Sequence, residues 1–165
     1  MVHAALGRGG RPESRHEQEA RRGNACSWNV VCSDCTTEID LPDHVLIVED
    51  DPDQADSLAL LLQLALPDDA LVDVASGGRQ AVSMALATRP KAVVMDLGMP
   101  GMSGFEAATS IREIFGAAAP ILIAVSGSDG GIAAARAERV FDHAILKPVD
   151  LDRLLQLLGS SAASR

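Results

Sequence analysis

The chain has 165 residues, of which 47% are hydrophobic, and carries a formal net charge of −9. That length suits one domain with a full core, and the acidity argues against a surface made for phosphate backbones, so no direct nucleic-acid partner is expected. No apolar run approaches the ~18 residues of a membrane span and no signal-like apolar stretch follows the start, so no membrane partner and a cytoplasmic location are expected.

Residues 1–42 have no apolar period of either helix or strand. The stretch "GRGGRPESRHEQEARRG" is rich in Gly, Arg and Glu and cannot bury enough surface to offset its ordering entropy, so a disordered tail is expected. All three cysteines, Cys26, Cys32 and Cys35, lie there. The Cys32-x-x-Cys35 spacing invites a zinc or redox reading. A zinc site wants four ligands, and the tail offers three Cys plus His3, His16 or His44, so the plain reading without metal is preferred.

From His44 onward the pattern is regular, and a folded domain is expected over residues 43–159, with 160–165 a short tail. "VLIV", Val45 to Val48, predicts a strand buried on both faces. The next run has helical spacing, with Ala55, Leu58, Leu61, Leu62 and Leu66 on one face, Asp51 as N-cap and Pro52 in the first turn. "LVDVA" predicts a second strand, and "GGRQAVSMALATR" a helix burying Ala81, Met84, Ala85 and the Ala87–Thr88 side. "AVVMD" predicts a third strand. "SGFEAATSIREIF" predicts a helix opened by a capping box of Ser103 and Glu106. "ILIAV" predicts a fourth strand, "GIAAARAERV" a weaker helix and "AIL" a fifth strand. "DLDRLLQLLGS" predicts a closing helix with Asp150 as cap and Gly159 as stop.

Five strands alternating with five helices mean a parallel sheet covered on both faces. Five βα units are too few for the eight of a closed barrel, which leaves an open, doubly wound α/β sheet. Sites in such sheets form beyond the carboxyl ends of the strands. The residues standing there are Glu49, Asp50 and Asp51 after the first strand, Asp96 after the third, Ser126 after the fourth and Lys147 after the fifth. Each alone has an ordinary explanation as a cap, a turn or a solvated charge. Together they gather carboxylates that repel by about 4 kcal/mol per pair at 4 Å and an effective dielectric of 20. A divalent cation offsets that repulsion, and Mg²⁺ suits carboxylate and water ligands. An amine and a hydroxyl beside them suit an anion with several oxygens. The combination points to metal-assisted phosphoryl transfer onto a carboxylate.

The motifs "VLIVEDD", "VVMDLGMPGMSGFE", "AVSG" and "ILKPVDLDRLL" resemble, in order and spacing, the receiver domain of two-component response regulators over residues 44–158. The resemblance implies a flavodoxin-like (βα)5 fold with strand order 2-1-3-4-5. It implies that Asp96 accepts a phosphoryl group from a phosphohistidine on a histidine kinase or histidine phosphotransfer protein. It further implies that Glu49, Asp50, Asp96 and the backbone carbonyl of Gly98 hold Mg²⁺, with Asp50 a direct ligand and Glu49 acting largely through water. Lys147, after a cis bond to Pro148, would bind a phosphoryl oxygen, and the Ser126 hydroxyl would swing toward the phosphoryl group. By the same resemblance the chain is a switch rather than an enzyme. Only "SSAASR" follows Gly159, so its output is expected through contact with a downstream target protein.

Three departures stand out. Ala144 occupies the place of the aromatic or His that moves inward in many relatives, and strand alternation turns its neighbour His143 to the other side. The segment from Ser126 to Lys147 is about one residue short, and Gly130-Gly131 predicts a mobile fourth helix. Gly98 offers no side chain to shield a phosphoryl group, which predicts a short-lived phosphorylated state. An alternative is a degenerate receiver acting as a phosphorylation-independent interaction module. A third possibility, a phosphatase with an aspartyl nucleophile, needs a second acid two residues past Asp96, where Gly98 cannot serve.

Overall fold

The computed structural model describes residues 41–160. They form β1 (His44–Val48), α1 (Pro52–Ala65), β2 (Leu71–Ala75), α2 (Gly78–Thr88), β3 (Ala92–Asp96) and α3 (Gly104–Phe115). A 3-10 turn at Gly116–Ala118 follows, then β4 (Ile121–Ser126), α4 (Asp129–Ala137), β5 (His143–Leu146) and α5 (Leu151–Ser160). The strands make one sheet in the order β2-β1-β3-β4-β5, with every pair parallel. The sequence order 2-1-3-4-5 expected above is therefore the one found.

Strand alternation splits the core into two layers. On one face Leu46, Val93, Met95, Leu122 and Ala124 pack against Ala81, Ala85, Ala107, Ala108 and Ile111 of α2 and α3 and Ala135 of α4. On the other, Val45, Ile47, Val94, Ile123 and Val125 meet Leu62 of α1 and Leu154, Leu157 and Leu158 of α5. Alanines therefore face one side of the sheet, where helices approach closely, and leucines the other. Leu41 already packs against the second layer.

The helix starts follow from their caps. Asp51 accepts from the backbone N–H groups of Asp53 and Gln54, with Pro52 at the first helical position. Ser103 and Glu106 form the full capping box. Asp150 Oδ1 accepts from the Arg153 N–H at 2.8 Å.

Four expectations need correction. Leu61 is 45% exposed, because the buried face of α1 runs through Ala55, Leu62 and Leu66 and is narrower than the spacing suggested. Ala87 and Thr88 are exposed: at about 3.6 residues per turn Ala87 points away from the face of Ala81 and Ala85, and Thr88 is the last residue before the left-handed Arg89 ends α2. The fourth helix runs Asp129–Ala137 rather than from Gly131, because Ser128 caps it by accepting from Gly131 N–H. Gly159 does not stop α5, which continues through Ser160. Among the described residues, no helix is long and apolar enough to cross a membrane.

Candidate functional site

β1 and β3 are neighbours in the middle of the sheet, yet α1 covers one face and α3 the other. The chain thus departs in opposite directions from adjacent strand ends and leaves a crevice there. Glu49 and Asp50 follow β1, and Asp96 is the last residue of β3. Each of these three offers a carboxylate oxygen, and the three oxygens lie within 4.8 Å of one another. Glu49 is buried, the Asp96 side chain is 12% exposed and Asp50 faces solvent.

Lys147 reaches into this group from the end of β5, across β4. Its Nζ donates to Asp96 Oδ2 at 2.8 Å, to Glu49 Oε2 at 2.8 Å and to Gln54 Oε1 at 3.0 Å. The Lys147–Pro148 peptide is cis, as expected. One ammonium thus bonds two of the three carboxylates, all of them hard oxygen donors, and a small divalent cation fits the surplus charge and the donor type.

The two carboxylates bound to Lys147 respond in opposite senses. Burial pushes the Glu49 carboxyl up, the Lys147 hydrogen bond opposes this, and the neighbouring Asp96 charge adds to it, so Glu49 stays above its ordinary value. Burial also works to raise Asp96, but the Gly98 N–H and the Lys147 ammonium overcome it and hold Asp96 below its ordinary value. Burial disfavours the charged form of Lys147, and its bonds to Asp96 and Glu49 outweigh that and raise it. The Gly98 N–H and Lys147 thus favour the charged form of Asp96, while burial and the Asp96 charge disfavour the charged form of Glu49.

The loop after β3 supports this geometry. Gly98 N–H donates to Asp96 Oδ1 at 2.9 Å, which fixes the carboxylate that Lys147 grips from the other oxygen. Gly98 itself is exposed. Gly104 opens α3 directly beneath, where a β-carbon would collide with the backbone oxygen of Asp96 and crowd Leu97. Below the ion group lies a cavity of about 420 Å³ between α1 and the β5–α5 loop, floored by Ile47, Val94 and Val125.

Ser126 ends β4 and is buried, but its hydroxyl is engaged elsewhere. Its Oγ accepts from Ser128 N–H at 3.2 Å and lies 3.4 Å from Ser128 Oγ, at the start of α4. A β-carbon on Gly131 would strike this hydroxyl. Gly131 thus has a steric reason to be glycine beyond loosening the helix. Ala144 packs with the α2–α4 layer and Ile145 with the α1–α5 layer, so His143 does lie on the side opposite Ala144. Asp51 keeps to capping, with Oδ2 accepting from Gln54 Nε2 at 3.0 Å.

The expected residues Glu49, Asp50, Asp96 and Lys147 are brought together, while Ser126 stands on the adjacent strand facing α4. The composition of the strand ends missed Gln54. Its only signal is the D-x-x-Q spacing from Asp51, which resembles a capping box. Cys26, Cys32, Cys35, His3 and His16 lie outside the described residues, as does the expected tail up to residue 40. His44 is placed in β1 and its Nε2 lies 2.9 Å from Asp73 Oδ2.

The profile of the family described as "Response regulator receiver domain" matches residues 45–159. The chain is 30% identical over 122 residues to the nitrate/nitrite response regulator protein NarL of Escherichia coli K12, covering 74% of this chain but only 56% of NarL. It is 35% identical over 117 residues to an uncharacterized 14.6 kDa protein of Leptolyngbya boryana, covering 69% of this chain and 86% of that protein. The CheY-like receiver domain from Methylobacillus flagellatus superposes with a TM-score of 0.63 at 27% identity, over 71% of this chain and 96% of that one. The receiver domain of the sensor histidine kinase PA1611 from Pseudomonas aeruginosa PAO1, described with a magnesium ion coordinated in its active-site cleft, superposes with a TM-score of 0.63 at 23% identity, over 73% and 98%. The parallel sheet in this order is thus matched by fold and the chain by sequence, and the chain belongs to the response regulator receiver domain family.

Proposed function

We propose that this receiver accepts a phosphoryl group on Asp96 from the phosphohistidine of a histidine kinase or histidine phosphotransfer protein. The observation that carries it is the single ammonium of Lys147 held 2.8 Å from both Asp96 and Glu49 at the switch point of the sheet. Asp96 Oδ forms the new bond to phosphorus as the bond from phosphorus to the histidine nitrogen breaks, leaving an aspartyl phosphate and a neutral imidazole after protonation. Glu49, Asp50, Asp96 and the Gly98 carbonyl would hold Mg²⁺, which when bound supplies charge neutralisation for the incoming phosphoryl oxygens. Lys147 keeps one phosphoryl oxygen, and Ser126 gives up its place at Ser128 to donate to another. Because the Ser126 hydroxyl now sits against the first turn of α4, that exchange disturbs the start of α4 and so reaches the surface.

The output is a change in affinity for a downstream target protein, with residues 43–159 as the working unit on the cytoplasmic side of signalling. NarL's nitrate and nitrite response is a property of that longer protein. Asp96 oriented at both oxygens, by the Gly98 N–H and by the Lys147 ammonium, and set beside two further carboxylates, favours this reading over a degenerate interaction module, which has no use for an acceptor held in that way. Phosphotransfer profiling against the histidine kinases of the source organism tests the proposal. One kinase is expected to label the wild type rapidly and Asp96→Asn not at all. Equal labelling of the variant, or none of the wild type by any kinase, would overturn it.

A further inference from the structure

We propose that Gln54 is a positioning residue for Lys147, holding the ammonium in place while its carboxylate partners are drawn into other work; this rests on the function proposed above. A lysine ammonium has three N–H donors and no acceptor. All three are used here, on Asp96, Glu49 and Gln54. On the function proposed above, two of those partners would be drawn away: Asp96 would carry the phosphoryl group and Glu49 would help to hold the cation. The Gln54 carbonyl is the acceptor that neither task removes.

Its chemistry suits that place. A neutral amide oxygen holds the lysine without cancelling its charge, so the positive end stays available to the incoming anion. The other end of the same amide is anchored: Nε2 donates to Asp51 Oδ2 at 3.0 Å. Asp51 is fixed in turn, because its Oδ1 accepts from the backbone N–H groups of Asp53 and Gln54 at 3.0 and 3.2 Å as the cap of α1. A long, flexible side chain from the end of β5 is thereby tied to the first turn of a helix that begins far earlier in the chain. Gln54 is exposed, but each end of its amide has a partner, Asp51 on one side and Lys147 on the other.

The test uses the full chain with acetyl phosphate and Mg²⁺. Gln54→Met keeps the length and removes both hydrogen bonds, and because the cap uses backbone N–H groups, α1 keeps its start. The variant is expected to take up phosphate about threefold to tenfold more slowly, the worth of one hydrogen bond to a charged group near solvent. Its Mg²⁺ affinity should stay within about twofold of the wild type, since no metal ligand is altered. The Lys147 Nζ proton signal in ¹H–¹⁵N spectra is expected to be resolved in the wild type, where all three donors are bonded, and to broaden in Gln54→Met. Gln54→Glu keeps the acceptor and should retain the signal while slowing phosphorylation through its added negative charge. Wild-type labelling with an unchanged rate in Gln54→Met, or a slowed rate with an unchanged Lys147 signal, would overturn the proposal. Failure of the wild type itself to be labelled would instead overturn the function on which it rests.

Discussion

Lys147 Nζ and Asp96 Oδ2 stand 2.8 Å apart although 51 residues separate them in the chain. The pairing results from strand order: β5 and β3 flank β4, so both residues end at the same edge of the sheet. The second oxygen of Asp96 is taken by Gly98 N–H. The carboxylate is thus fixed in orientation before any donor arrives.

Removing the ammonium leaves mutually repelling acids. Lys147→Met is expected to lower metal-free stability by about 1–3 kcal/mol, less than for a fully buried pair because the Lys147 side chain is 22% exposed. Mg²⁺ should restore more stability to this variant than to the wild type, since the cation then stands in for the lost ammonium between Glu49 and Asp96. Urea unfolding with and without Mg²⁺ measures both effects.

The pH dependence of metal-free stability should carry two opposite contributions. The folded value of Asp96 is depressed, so its contribution is present above the ordinary 3.8 and lost as pH falls through the lower folded value. The folded value of Glu49 is raised, so its contribution is present below the ordinary 4.5 and lost as pH rises through the higher folded value. Asp96→Asn should therefore flatten the acid limb of the profile. Glu49→Gln, which keeps a carbonyl for Lys147, should be more stable than wild type at neutral pH without metal. Denaturant titrations from acid to neutral pH check both signs.

Gly104 admits no side chain. A β-carbon there meets the Asp96 carbonyl and the Leu97 backbone, neither of which can rotate aside. Gly104→Ala is expected to cost about 1–3 kcal/mol as overpacking and to lower the thermal midpoint. It should also slow phosphorylation, because the strain falls on the residue that carries Asp96.

At Gly98, by contrast, a β-carbon sits at an ordinary 3.5 Å from Asp96 Oδ1. Gly98→Asn should fold normally and place its amide beside the phosphoryl group, impeding water. The expected result is a severalfold longer phosphoryl lifetime after the donor is removed. An unchanged decay rate would show that water reaches the phosphorus by another side.

The acids and the lysine were legible in the sequence because each directly follows a short apolar run, and parallel strands end at one edge. The caps at Asp51, Ser103 and Asp150 were legible because they are local. Gln54 was not, since its contact with Lys147 depends on how α1 lies against the β5–α5 loop. Gly131 read as a helix weakener, and its close approach to the Ser126 hydroxyl is invisible without packing. Leu61 satisfied the helical period of α1, but α1 sits near an edge where only a narrow stripe meets the sheet. Periodicity supplies a direction for each face and no width.

Intact-mass analysis after incubation with acetyl phosphate, followed by borohydride reduction and peptide mapping, reports where the phosphoryl group goes. Reduction of an aspartyl phosphate leaves homoserine, and it is expected at the position of Asp96, in one copy per chain and only when Mg²⁺ is present. Homoserine at another acid, labelling indifferent to Mg²⁺, or no mass gain with donor and Mg²⁺ both supplied would contradict Asp96 as the acceptor.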